Sequence, residues 1–339
     1  LLTDDKNSYG GRETLMAGYA MADLPVSEKL RIIAGVRIEN DDLYVENLVD
    51  TLLYPNNADD YDNGGFTRTD FLPSLNLVYS LSEAMNLRLG YNRTVARPVF
   101  RELAPYASYD FKAGLRKIGN PELEKTDIDN VDLRWEWFMR PGEILSFSAF
   151  YKYFQNPIEL RDAEEAANPE IHFENIEDSR LYGVELELRK RLDFVEVLRD
   201  ISFGTNVTLV KSIVKEDSTR LASARMVDPG WPETRAMFGQ SPYVVNTYLN
   251  YHNFERGWDV NLGFNVAGEK LVLVSKAATP DVYEQAFPVF DINVSKQFKN
   301  GINIKFSADN LLNPYYAQTY TFVEGATTPV GYFRQYKLG

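Results

Sequence analysis

Apolar and polar residues alternate with a period of two from one end of the chain to the other. Leu30, Ile32, Ala34, Val36 and Ile38 fall on one face of an extended segment, with Arg31, Arg37 and Glu39 on the other. Val131, Leu133, Trp135 and Trp137 oppose Asp132, Arg134 and Glu136, and Val184, Leu186 and Leu188 oppose Glu185, Glu187 and Arg189. Trp258, Val260, Leu262, Phe264 and Val266 do the same against Asp259, Asn261, Gly263 and Asn265. This is the period of a strand whose two faces meet different surroundings. The pattern predicts about a dozen strands, several of them longer than the usual five or six residues. Helical periodicity is nearly absent, apart from a turn or two around Phe194 to Arg199.

The links between these segments alternate in length. Short ones fall near 24–28, 81–84, 139–143, 191–200, 252–257 and 298–301; long ones fall near 41–67, 97–126, 156–179, 213–242, 268–286 and 313–331. In an antiparallel meander, successive links lie at opposite ends of the sheet, so one end carries only short turns and the other only long loops. That asymmetry describes an all-β fold, an antiparallel transmembrane β-barrel of the bacterial outer membrane. A water-soluble, glycan-binding β-sandwich is the alternative with the same alternation. Strand length, the regular alternation of links, and mid-strand polar residues such as Arg88, Glu136, Glu187 and Asn261 favour the barrel with a wet lumen.

Composition removes other classes. The chain of 339 residues has no cysteine and two histidines, His172 and His252, so thiolate and multi-histidine metal sites are excluded. Lys and Arg total 36 against 49 Asp and Glu, a net charge of −13, which excludes nucleic acid as a partner. No run approaches the length of a membrane helix and no N-terminal leader is visible. No nucleophile or phosphate-loop motif appears, so neither an enzyme nor a cofactor is expected. Leu1 and Gly339 look like arbitrary cuts, and a last strand starting near Gly331 stops early. An open edge in lipid is costly. Residues 1–339 are therefore expected to be the C-terminal portion of one barrel domain, completed by a segment outside this chain.

Several motifs now resemble one family. The run from Leu87 to Pro105, containing Arg97-Pro98-Val99-Phe100-Arg101-Glu102-Leu103, is followed by Gly119-Asn120-Pro121-Glu122-Leu123 and a strand from Asn130 to Trp137. Phe150-Tyr151-Lys152 precedes Asn156-Pro157, then come Tyr182-Gly183-Val184-Glu185, Gly239-Gln240-Ser241-Pro242 and Asp309-Asn310-Leu311-Leu312-Asn313. In order and spacing these resemble the barrel of TonB-dependent receptors, particularly those of Bacteroidetes-type bacteria. The resemblance implies about a dozen strands of a larger barrel of about 22, of the plugged transporter kind. It implies active import of a scarce small-molecule, glycan or peptide ligand, powered by the inner-membrane TonB complex. The surroundings would be lipid bilayer and lipopolysaccharide, and a surface lipoprotein cap stays open. The plug domain, the TonB-interacting segment and the N-terminal strands are not in this chain. A porin, adhesin or secretion component of the same shape is the main rival.

Candidate ligand contacts sit in the long links. Arg97, Arg101 and Arg116 bring positive charge to an acidic protein, and Tyr106 and Tyr109 bring flat faces. Pairing of these arginines with Glu102 and Glu122 is the plainer account of them. Trp231 and Tyr315 are further stacking candidates, with Trp231 equally suited to pinning its own loop. The acidic stretches 41–66 and 159–178 read as solvated loops. Asp309 to Pro314 reads as a strand end with a turn.

Overall fold

The computed structural model describes residues 8–48, 63–104, 107–110, 115–162, 170–275, 280–321 and 330–337. Twelve strands follow one another as an antiparallel meander: β1 (Tyr9–Pro25), β2 (Leu30–Asn47), β3 (Gly64–Ser82), β4 (Met85–Ala96), β5 (Thr126–Arg140), β6 (Glu143–Gln155), β7 (Asp178–Arg191), β8 (Ile201–Lys215), β9 (Tyr243–Asn253), β10 (Trp258–Ala267), β11 (Val289–Gln297) and β12 (Asn303–Ala308). Each hydrogen-bonds to its neighbours in the chain, and Thr234–Arg235 adds a short strand beside β8. All the short links fall at one end and all the long ones at the other. The turn or two of helix expected near Phe194 is a single 3-10 turn, Glu196–Leu198.

Residues paired directly across antiparallel strands point to the same side. One row across six strands runs Trp135, Phe147, Leu186, Val207, Val245, Val266. The next row, one residue away on the opposite face, runs Glu136, Ser146, Glu187, Asn206, Asn246, Asn265. One face is therefore continuously apolar and the other continuously polar. A sandwich would cover the apolar face with a second sheet. Here Phe71, Leu133 and Leu186 stay exposed, as lipid-facing residues do.

The polar face holds its charges in a run of pairs, some within a strand and some across strands. Arg88 reaches Glu136 at 2.7 Å, Arg134 bridges Glu136 and Glu187 at 2.8 Å each, and Arg189 closes on Glu187 at 2.8 Å. Two glycines on this face serve close approach. Phe150 lies across Gly183 and Tyr248 lies across Gly204, and a Cβ at either glycine would run into the ring.

One sequence expectation needs correction. β1, β2 and β3 have 17, 18 and 19 residues, beyond the about 9–11 that a bilayer needs. Their upper halves stand above the membrane, so Asp41, Asp42 and Glu46 belong to β2 and not to a loop. The last strand, expected from near Gly331, is Val330–Lys337. It pairs with Tyr315–Thr321, in a small sheet with Lys270–Leu273 and Val282–Glu284. After β12 the chain turns through Asn310 and Asn313, at φ 51° and 41°, a left-handed conformation that asparagine tolerates.

Candidate functional site

The long links do not hang as loose loops. The link after β4 starts with a short helix, α1 (Phe100–Leu103), and turns inward over the polar face. Leu103, Ala104 and Leu123 bury themselves against Leu43 and Val45 of β2, with Phe100, Phe66 and Tyr9 closing the cluster. Leu43 and Val45 share their face of β2 with Glu39 and Asp41, the polar face. A hydrophobic clasp thus holds this link against the inside of the wall.

Arg97 fixes where the link begins. Its guanidinium lies 2.7 Å from each of Glu39, Asp41 and Asp70, and Lys125, at the far end of the same link, binds Asp70 and Asp127. Asp41 is fully buried. Arg97 so joins the two ends of the link to β2 and β3. Arg101 donates to the Lys117 carbonyl at 2.8 Å and to Ser108. Glu102 does not meet an arginine here; its carboxylate accepts from the Val99 N–H at 2.9 Å and caps α1.

Asn120 is the centre of the Gly-Asn-Pro motif. Its N–H donates to the Glu102 carbonyl at 2.6 Å, its side-chain amide to the Phe173 carbonyl at 3.1 Å, and its side-chain oxygen accepts from the Glu122 N–H at 2.9 Å. Gly119 is required there, since a Cβ would strike the Ala104 carbonyl. Asn175 repeats the device, receiving the Glu124 N–H and donating to the carbonyls of Glu124 and Asn156. The motif is a lock between links rather than a ligand site.

A second layer is built above. Ala107–Asp110, Leu115–Ile118, Glu170–Asn175 and Ile158–Asp162 form one small sheet, bridged to the sheet of 270–273 through Arg161 and Val274. Under it lies a buried charge cluster. Arg235 reaches Glu159 and Glu216, and Arg220 reaches Glu216 at 2.8 Å and Asp281 at 2.6 Å. Burial holds the Asp281 carboxyl above the usual carboxylate range, with the Arg220 guanidinium pulling the other way. Glu159 is 2 % exposed, so the reading of 159–178 as solvated fails at its first residue. Arg220 sits in a ten-residue helix, α2 (Ser218–Val227), started by Asp217, whose side chain accepts from the N–H groups of Thr219 and Arg220. Nothing in the local sequence announces this cluster, since Glu159 and Arg235 are 76 positions apart.

The expected contact residues fall into two groups. Arg97 and Arg101 are engaged in the lock just described. Arg116 and Tyr109 lie on the upper sheet, with Arg116 beside Glu170. Trp231 has the Arg220 guanidinium 5.6 Å from its ring, and its carbonyl accepts from Arg225. Tyr315 is 55 % exposed at the foot of the other small sheet. Tyr106 lies outside the described residues, as do Asp50, Asp59, Asp60 and Asp62. Beside the lock is a cavity of about 430 Å³ bordered by Phe66, Arg68, Leu123, Glu124, Lys125 and Asp127. Another, of about 360 Å³, lies between Arg161, Asn175, Lys215 and Asp217. Both are polar and open upward. No group of metal-ligating side chains occurs among the described residues.

A sheet with one lipid-facing and one polar face, and long links folded back over the polar side, defines an outer-membrane barrel. The family model described as TonB dependent receptor-like, beta-barrel matches residues 3–311, and the chain belongs to that family. It is thus an outer-membrane protein and not an enzyme. The fold is similar to the copper transporter OprC (TM-score 0.61, 16 % identity, 90 % of this chain and 42 % of that one). It is similar to the ferric yersiniabactin uptake receptor FyuA from Yersinia pestis (0.62, 15 %, 95 % and 44 %). It is also similar to the ferric citrate transporter FecA (0.62, 14 %, 96 % and 44 %). The chain spans less than half the length of each of these structures. No curated protein matches it in sequence.

Proposed function

We propose that this chain is the C-terminal portion of a receptor barrel that captures a scarce small ligand outside the cell and imports it with energy from the inner membrane. On this reading, the plug domain, the segment that meets TonB and the first strands precede Leu1 in the natural protein. The observation that carries the reading is the lock of Arg97, Asn120 and the Leu43–Leu103 clasp, which folds a long link inward over a polar lumen. The structures of similar fold handle copper, ferric yersiniabactin and ferric citrate, which supports a small polar ligand, such as a metal or a metal chelate. Arg116, Tyr109, Trp231 and Tyr315 are the proposed ligand contacts, because they lie in the long links and outside the lock. Lipopolysaccharide around the upper wall belongs to the same reading.

A bilayer recording separates this from the porin reading without knowledge of the ligand. The full-length natural protein, inserted in a planar bilayer, is expected to show no steady conductance until urea loosens the plug. Steady open conductance from the moment of insertion contradicts import and supports a passive channel.

A further inference from the structure

The short-turn end of the wall carries a feature that the import reading does not use. The turns 254–257 and 298–302 lie side by side, because β10 pairs with β11 and Trp258 stands opposite Lys296. The Gln297 N–H donates to the Gly257 carbonyl at 2.8 Å, which fixes one turn against the other. Gly257, at φ 64°, permits that approach, since a Cβ there would strike the Gln297 carbonyl. Between the turns is a concavity of about 580 Å³, bordered by Phe254, Arg256, Trp258, Lys296, Phe298 and Lys299, with one carboxylate, Glu255, on its rim.

Its chemistry is unlike that of the other short turns. After β1, Arg31 is matched by Asp23; after β5, Arg140 is matched by Glu143 and Asp193; after β7, Arg199 is matched by Asp200. Here three cations gather, and among the described residues none of Arg256, Lys296 and Lys299 has a carboxylate within ion-pair distance. Lys296 lies 4.7 Å from the Trp258 ring centre and 5.6 Å from that of Phe298, and its one hydrogen bond goes to the Arg256 carbonyl. Its charge is held in place by the rings and not neutralised. Phe254 is 87 % exposed. Three cations against the single carboxylate of Glu255, with no ion pair between them, leave a net positive place for an anion in a chain of net charge −13.

Depth identifies the anion. Trp258 and Lys296 lie in the outer rows, one pair beyond Val260–Val294 and two beyond Leu262–Ile292, at the edge of the apolar band. Short turns face the periplasm. The concavity therefore sits at the headgroup level of the inner leaflet, where aromatic rings and long cationic side chains face phosphate. We infer that this concavity is a binding site for one anionic phospholipid, its phosphate between Arg256, Lys296 and Lys299 and its acyl chains along the Val260–Val294 rows. The aromatic rings cover the glycerol region.

The test uses the natural protein extracted from outer membranes in mild detergent. Native mass spectrometry follows added phosphatidylglycerol and, separately, phosphatidylcholine. One phosphatidylglycerol is expected to bind at least tenfold more tightly than phosphatidylcholine. Lys299→Gln alone is expected to weaken it about fivefold, the share of one cation near an anionic lipid. The triple variant Arg256→Gln, Lys296→Gln, Lys299→Gln is expected to bring it to the phosphatidylcholine level. Lys299 is exposed at the turn tip, so its variant folds even where the triple one does not, and heat-modified mobility on gels confirms folding. Inorganic phosphate at millimolar level is expected to leave the lipid bound. Equal retention of both lipids, an unchanged Lys299→Gln protein, or displacement by phosphate alone overturns the assignment.

Discussion

Arginine in place of Leu133, Leu186 or Leu262 stops the barrel from assembling. All three lie in outer rows, where they pair with Leu89 and Ala149, with Phe147 and Val207, and with Leu249 and Ile292. A charge there meets hydrocarbon and costs about 2–4 kcal/mol at the midplane, a large part of a membrane barrel's margin. The same substitution at Asn246, on the wet face, is expected to be tolerated. The readout is the folded, heat-modifiable band in outer membranes: absent for the three leucine variants, present for Asn246→Arg. Normal assembly of the three would mean that these faces pack against protein, and the membrane reading fails.

Removing the Arg97 guanidinium has the second largest effect. Arg97→Met leaves Glu39, Asp41 and Asp70 as buried carboxylates with only Lys125 and Arg37 to answer them. Breaking a buried ion pair from one side costs about 3–5 kcal/mol. The loss should appear as release of the 97–125 link, seen as rapid protease cleavage there while the wall stays protected. Adding Asp41→Asn and Asp70→Asn to Arg97→Met removes the stranded charges and is expected to restore much of the protection. If Arg97→Met is as resistant as the parent, the lock is not what holds the link.

The wall was legible in the sequence because its cause is local. Each strand crosses from water to lipid contact at every second residue, so alternation at positions such as Leu30 to Ile38 or Trp258 to Val266 reports the two media directly. The lock was half legible. The Arg-Pro-x-x-Arg-Glu and Gly-Asn-Pro runs stood out as motifs, yet their partners are set by tertiary packing. Arg97 answers carboxylates on β2 and β3, up to 58 positions away, and not the nearby Glu102. The Glu159–Arg235–Arg220 cluster was not legible. Its acidic members looked like any solvated loop, and only the stacking of three links makes them buried.

Residues 1–339 hold no cysteine, so single cysteines placed in them, in the natural protein with any cysteine outside them replaced, test the central claim directly: the wall spans a membrane with short turns inside and long links outside. Val197, in the turn after β7, is 90 % exposed, and Met226, in the link after β8, is 81 % exposed. Single variants Val197→Cys and Met226→Cys are treated in intact cells with a membrane-impermeant maleimide. Met226→Cys is expected to label at once, and Val197→Cys only after the outer membrane is permeabilised. Equal labelling of both in intact cells, or of neither, contradicts the account.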